Sequence, residues 1–223
     1  MDSGKDSCFR KGIFFLCFLF FFTPVWAQED IFRYPLVQQT RIAFDAVSVN
    51  LAERPLIKGN FTQEKYLNRF NRSLMSSGNF IIATEQGMVW ETLQPFPSTM
   101  VMGSDFILQS RPDGRMSVLS AQGNETFTQM ANVLSSVFSG QSHRLLENFE
   151  VYFSGNVSDW NMGLLPLDSA LTSFITRITM NGDSAIRSIR IFEPNGDIIT
   201  YTLSNHSFPA RLNDHEEAFF SIP

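Results

Sequence analysis

Reaction chemistry needs nucleophiles, proton carriers or metal ligands gathered at fixed spacings, and this chain groups few of them. Histidine occurs three times, at His143, His206 and His215, and none stands with another at metal-ligand spacing. Asp214-His215-Glu216-Glu217 has the residue types to hold a cation, but its place near the C-terminus favours a solvated charged turn. Asp183 and Asp197 each follow Asn-Gly, so turn hydrogen bonding explains them without a two-carboxylate hydrolytic pair. Nucleophile elbow, phosphate-cradling loop, zinc helix and dinucleotide fingerprint are all missing from the sequence. No catalytic residue, metal ligand or cofactor is assigned.

The chemistry on offer is apolar. Phe80, Ile82, Met88, Trp90, Met100, Met102, Phe106 and Leu108 fall at alternate positions of successive short runs, the spacing that places side chains on one face of a sheet. Ile81, Val89, Val101 and Ile107 make the other face apolar too, so both faces meet something greasy. Large aromatics with flexible thioethers suit a surface that accepts variable apolar shapes, and they equally suit a filled core between a sheet and helices.

Elements that would position these residues can be read along the chain. Lys5, Arg10 and Lys11, the uncharged run 12–22 and Thr23-Pro24-Val25-Trp26-Ala27 have the order of a secretory leader, with cleavage expected after Ala27. Its eleven-residue apolar run is about half the ~20 residues of a membrane-spanning helix. Both cysteines, Cys8 and Cys17, leave with it, so no disulfide supports the fold. The whole chain of 223 residues carries a net charge of -5 with no basic block, which excludes nucleic acid as the main partner. Residues 28–223 read as a single domain.

Within it, Ile42, Ala46 and Val49, beside Val47 and Leu51, predict an amphipathic helix from Gln38 to Glu53, stopped by Pro55. About six strands of an antiparallel meander are expected from Leu56 to Leu119. A second helix is expected over 124–139, with Phe127, Met130, Leu134 and Phe138 on its apolar stripe, and a short one over 143–148. Strands are expected again at 149–154, 160–165, 174–180, 185–192 and 198–204, with a helical turn over 166–172. Asn181-Gly182 and Asn195-Gly196 predict tight hairpins through positive φ. The class is α+β.

Gly59-Asn60-Phe61-Thr62-Gln63, succeeded in order by Ser76-Ser77-Gly78-Asn79-Phe80, Gly87-Met88-Val89-Trp90 and Pro95-Phe96-Pro97, resembles the LolA-like periplasmic lipoprotein carriers over most of residues 38–208. The Glu-Thr after Trp90 and the Pro-Phe-Pro turn resemble the divergent branch of that family. The resemblance implies an incomplete, strongly curved antiparallel β-barrel whose open mouth is covered by helices. It also implies an acyl-binding interior formed by Phe61, Phe80, Ile82, Met88, Trp90, Met100, Met102, Phe106 and Leu108, with Phe127, Met130, Leu134 and Phe138 on a lid. The function so implied is that of a non-enzymatic, monomeric periplasmic carrier, moving a lipoprotein, glycolipid or other acylated cargo from an inner-membrane transporter toward an outer-membrane acceptor. The family's latch arginine is replaced, the corresponding place holding Ala83-Thr84-Glu85. Two rival readings are a cell-envelope interaction protein of the same fold with a filled core, and a lipid-acting enzyme using Asp or Glu with histidine from the C-terminal segment.

Overall fold

The computed structural model describes residues 30–103, 106–111, 113–120 and 142–221. The expected leader and the helix expected over 124–139, with Phe127, Met130, Leu134 and Phe138, lie outside the described residues. The described chain forms one antiparallel sheet of eleven strands: β1 (Leu56–Leu67), β2 (Arg72–Ala83), β3 (Gly87–Gln94), β4 (Ser98–Met102), β5 (Phe106–Ser110), β6 (Met116–Ser120), β7 (Phe149–Asn156), β8 (Asp159–Pro166), β9 (Arg177–Gly182), β10 (Ile186–Phe192) and β11 (Ile198–Ser207). Their order, β6-β5-β4-β3-β2-β1-β11-β10-β9-β8-β7, joins two meanders through the β1–β11 pair and leaves β6 and β7 unpaired with each other. This is an incomplete barrel. Tyr34 and Leu36 hydrogen-bond to Phe153 and Val151, which covers the free edge of β7 with the entering chain.

Glycine facing aromatic residues across the strands accounts for much of the close packing. Phe80 lies opposite Gly59, Phe61 opposite Gly78 and Trp160 opposite Gly182. A Cβ on Gly59 would come 2.8 Å from the Phe80 ring, and one on Gly182 would come 2.4 Å from Trp160. Missing side chains let the rings lie over the neighbouring strand, a device that suits a bent sheet.

Helix α1 (Gln38–Ala52) packs into the concave side, where the Phe44 ring meets Phe153 edge-on at 5.7 Å. Its buried stripe is Phe44, Val47, Ser48 and Leu51, at the i, i+3, i+4, i+7 spacing of one helix face. Ile42 and Val49, expected inward, point to solvent instead. Phe44 carries more apolar surface than any residue of that alternative stripe, and its burial sets the rotation. Helix α2 (Ser142–Asn148) adds Leu145 to the same core, and α3 (Ser169–Thr172) adds Leu171, with Asp168 accepting from the Ala170 amide.

The convex face splits by composition. Over β3 to β5 it is apolar: Val89, Val101 and Leu108 form a buried cluster against which Phe219 and Phe220 of α4 (Asp214–Phe220) pack, together with Ile81 and Phe106. Across the middle it is polar. Asn205 donates to Asn60 (2.8 Å), Asn60 to Asn79 (2.7 Å) and Asn79 to Glu91 (3.1 Å), a ladder over four strands. Asn205, at φ 53, takes up the extra residue where β11 slips against β1.

Both expected hairpins form, one through the expected positive-φ glycine and one with its turn displaced. Gly196 has φ 86 and its amide donates to Glu193, a type I turn closed by a glycine bulge. Gly182 instead ends β9, and the chain reverses over Asp183-Ser184-Ala185. Burial of Trp160 against Gly182 keeps that glycine in the strand. Strand β9 also starts at Arg177 rather than Phe174, because the turn after α3 runs on through Phe174, whose amide donates to the Leu171 carbonyl.

Candidate functional site

Between the two meanders the concave face holds an apolar cavity of about 580 Å³. One wall is Met88 and Trp90 of β3, Met100 and Met102 of β4 and Ile107 of β5. The opposite wall is Ile178, Ile189, Ile191, Ile199 and Tyr201 of β9 to β11, with Phe174 and Ile175 from the segment before β9. Polar groups are confined to Ser173, Glu193 and Asn195, outside the strands, and to the Tyr201 phenol.

Register explains which residues face inward. Met88 pairs with Met102, and Met102 with Ile107, so these three share the concave face. Phe106 and Leu108, expected on that face, are on the other one, in the apolar cluster that α4 covers. Four residues separate the Met102–Ile107 pair, so the inward positions change from even numbers in β4 to odd numbers in β5. The helix α4 covering the convex side is also why both faces of these strands are apolar.

Of the other residues expected to form the site, Met88, Trp90, Met100 and Met102 line the cavity, whereas Phe61, Phe80 and Ile82 are buried in the core that continues from it. Phe61 stacks on Trp90 at 4.2 Å, and Phe80 lies 5.9 Å from Trp90. Tyr201 meets the same indole edge-on at 5.2 Å. Trp90 is therefore held on three sides, with its remaining surface in the cavity. Sequence reading missed the second wall, although Ile189 and Ile191, then Ile199, Tyr201 and Leu203, alternate in period two.

The electrostatics suit an uncharged guest. Burial, then the nearby Glu193 carboxylate, pushes the Tyr201 phenol up to about 12, so it stays neutral. Glu193 is neutralised by Lys65 at 3.2 Å. His206, edge-on to Phe80 at 5.9 Å, has a buried Nε2 with no hydrogen-bond partner among the described residues. Burial lowers its pKa and keeps the ring neutral.

The charged candidates are not brought into one site. Asp183 and Asp197 occupy turns at opposite ends of β10; the first accepts from the Ala185 amide and the second from the Asn68 amide at 2.9 Å. The Asp214–Glu217 run is the first turn of α4, where Asn213 and Glu216 form a reciprocal cap and Glu216 pairs with Lys58. His215 lies on Phe219. Among the described residues no three His, Cys, Asp or Glu side chains gather to hold a metal.

The cavity sits in a sheet whose sequence matches a family model, that of the outer membrane lipoprotein carrier protein LolA, over residues 55–219. The chain belongs to the LolA family. That range includes all eleven strands, hence both walls of the cavity, and α4 except its last residue, Phe220. Among solved structures, a LolA superfamily protein from Nitrosomonas europaea is similar at 9% identity and TM-score 0.45, covering 81% of this chain and 97% of that one. LprF from Mycobacterium bovis is similar at 9% identity and TM-score 0.41, covering 81% and 98%. The MucA/MucB complex of Pseudomonas aeruginosa contains a chain similar at 12% identity and TM-score 0.45, covering 78% and 59%. No curated protein matches significantly. LolA proteins as a family bind lipoproteins and act as carriers.

Proposed function

We propose that this LolA-family chain is a periplasmic, non-enzymatic carrier, exported by the leader at residues 1–27. It buries an acyl chain between β3–β5 and β9–β11 and moves the acylated molecule from the inner toward the outer membrane. The observation that carries this reading is the cavity: about 580 Å³, walled by isoleucine, methionine and aromatic side chains, with the Tyr201 phenol the one polar group on its strands. Volume limits the cargo. At roughly 30 Å³ per group, the liquid volume of a water and close to that of a methylene, this space accommodates about one long acyl tail rather than three. Burying some sixteen methylenes at about 0.8 kcal/mol each would gain at most about 13 kcal/mol, before the cost of ordering the tail. Such affinity requires no recognition of a polar headgroup. Release then comes from transfer to a receiver that buries the tail better.

Mass spectrometry of the chain purified from the periplasm tests this. Non-covalently held acylated species are expected, lost after delipidation and regained on adding a long-chain fatty acid. A chain that neither carries nor takes up acyl compounds would refute the carrier reading and favour the cell-envelope interaction protein with a filled interior.

A further inference from the structure

Following the strands through their register brings several connections to one end of the sheet. Leu67 pairs with Arg72, Thr92 with Ser98 and Ser110 with Met116, so the β1–β2, β3–β4 and β5–β6 connections lie side by side. Ser77 opposite Gln94 and Thr99 opposite Ser110 place them at the same edge. The β10–β11 turn joins them, because Asp197 accepts from the Asn68 amide. Glu193, Pro194 and Asn195 of that turn line the cavity, so the cavity reaches this rim.

The three connections have an unusual composition for an acidic chain. Segments 67–72, 94–98 and 110–116 contain Arg69, Arg72, Arg111 and Arg115 against one carboxylate, Asp113, while the chain as a whole carries -5. Asp113 pairs with Arg115, and no carboxylate lies within ion-pair distance of Arg69, Arg72 or Arg111 among the described residues. The two rim acids of the β10–β11 turn are already engaged, Glu193 by Lys65 and Asp197 by the Asn68 amide. Beside these arginines stand Phe96 at 72% exposure, Met116 at 65% and Phe70 at 64%. Exposed aromatic tips beside unpaired guanidinium groups match the boundary of an anionic bilayer, where rings sit among headgroups and cations meet phosphates.

We infer that this rim docks on an anionic lipid surface, with Phe70 and Phe96 in the headgroup layer and the arginines on the phosphates. Docking there points the cavity at the leaflet, so that a tail passes between membrane and carrier without crossing water. The inference deepens the carrier reading by naming the surface that faces the lipid, and it is tested separately from acyl uptake.

The experiment is sedimentation of the chain lacking residues 1–27 with phosphatidylglycerol vesicles and with phosphatidylcholine vesicles, beside fatty-acid binding measured without vesicles. Binding is expected only to the anionic vesicles and should fall as salt rises. Arg69→Gln with Arg72→Gln should weaken it about 30-fold, whereas Arg187→Gln, at the opposite end of the sheet, should leave it unchanged. Phe96→Trp, made in a chain whose Trp90 and Trp160 are both replaced by phenylalanine so that only the rim indole reports, should show a blue-shifted emission quenched by brominated lipid, which a purely electrostatic contact would not produce. Fatty-acid binding by the arginine variant should match that of the parent. Equal affinity for both vesicle types, unchanged binding by the arginine variant, or an indole at position 96 that stays in water would overturn the inference. Vesicle docking without acyl uptake would leave the inference standing and refute the carrier reading.

Discussion

Ile191→Asp puts a carboxylate on the β10 wall, beside Ile178 and Ile199 and in the same cavity as Trp90. Ile191 is only partly buried, so the new group can stay hydrated without unpacking the core. Its water shell would displace about four of the methylenes that an acyl tail buries against this wall. At about 0.8 kcal/mol each this is about 3 kcal/mol, or a loss of about two orders of magnitude in affinity. Ile191→Leu keeps volume and polarity and should cost less than tenfold. Displacement of a fluorescent fatty acid measures both variants, with circular dichroism and thermal melts confirming that each is folded. Parent-like affinity in a folded Ile191→Asp variant would show that acyl chains do not occupy this space.

Three other outcomes are expected from the same geometry. Gly78→Ala places a Cβ 1.8 Å from the Glu91 carbonyl oxygen, a backbone atom that cannot swing aside, so the β2–β3 pair must open; a loss of about 2 kcal/mol, or about 4–8 °C in Tm, is expected, and an unchanged melt would refute the close approach. The Tyr201 phenol, pushed up to about 12 by burial and Glu193, should ionise well above the ordinary value of 10.0 in a phenolate absorbance titration. Because the folded pKa is the higher one, the stability tied to Tyr201 is full below about 10 and is lost as pH rises toward 12; Tyr201→Phe should remove that step, and a phenol titrating at its ordinary value would contradict the burial. Burial would raise the Glu216 carboxyl, but the Asn213 amide, Lys58 and His215 outweigh it and hold the pKa below the usual carboxylate value. Its stabilisation is therefore present at neutral pH and lost as pH falls through that lowered value, so the Tm gap between the parent and Glu216→Gln should close in acid, and a gap that persists there would refute the pairing.

Local patterns made the strands legible. Period-two alternation gave a meander of about six strands over 56–119 and placed the five later strands to within three residues at either end, and Asn195-Gly196 marked a real glycine-closed turn, where Asn68 packs without overriding the local preference. Face assignments were harder, since they depend on partners distant in sequence. Even and odd positions of β5 are both apolar, and only the Met102–Ile107 pairing shows that Ile107, not Phe106 or Leu108, turns inward. Helix α1 offers two apolar stripes, and the fit of Phe44 against Phe153 selects one. The same limit hid half of the cavity. Ile189, Ile191, Ile199 and Tyr201 alternate visibly, but what they face is decided by the β1–β11 pairing that brings the two meanders together. The Trp90 wall was legible because it belongs to the part of the chain that carries the family resemblance.

In the proposed carrier a hydrocarbon tail lies against Trp90 and away from the core indole Trp160. Without residues 1–27 the chain keeps these two tryptophans, so Trp160→Phe leaves Trp90 alone and Trp90→Phe leaves Trp160 alone. Titration of both with a brominated long-chain fatty acid separates them, since bromine quenches indole only at contact range. Saturable quenching of the chain retaining Trp90, with little change in the chain retaining Trp160, is the expected result. Absence of quenching at Trp90 while the fatty acid still binds would place the tail elsewhere and contradict the proposed cavity.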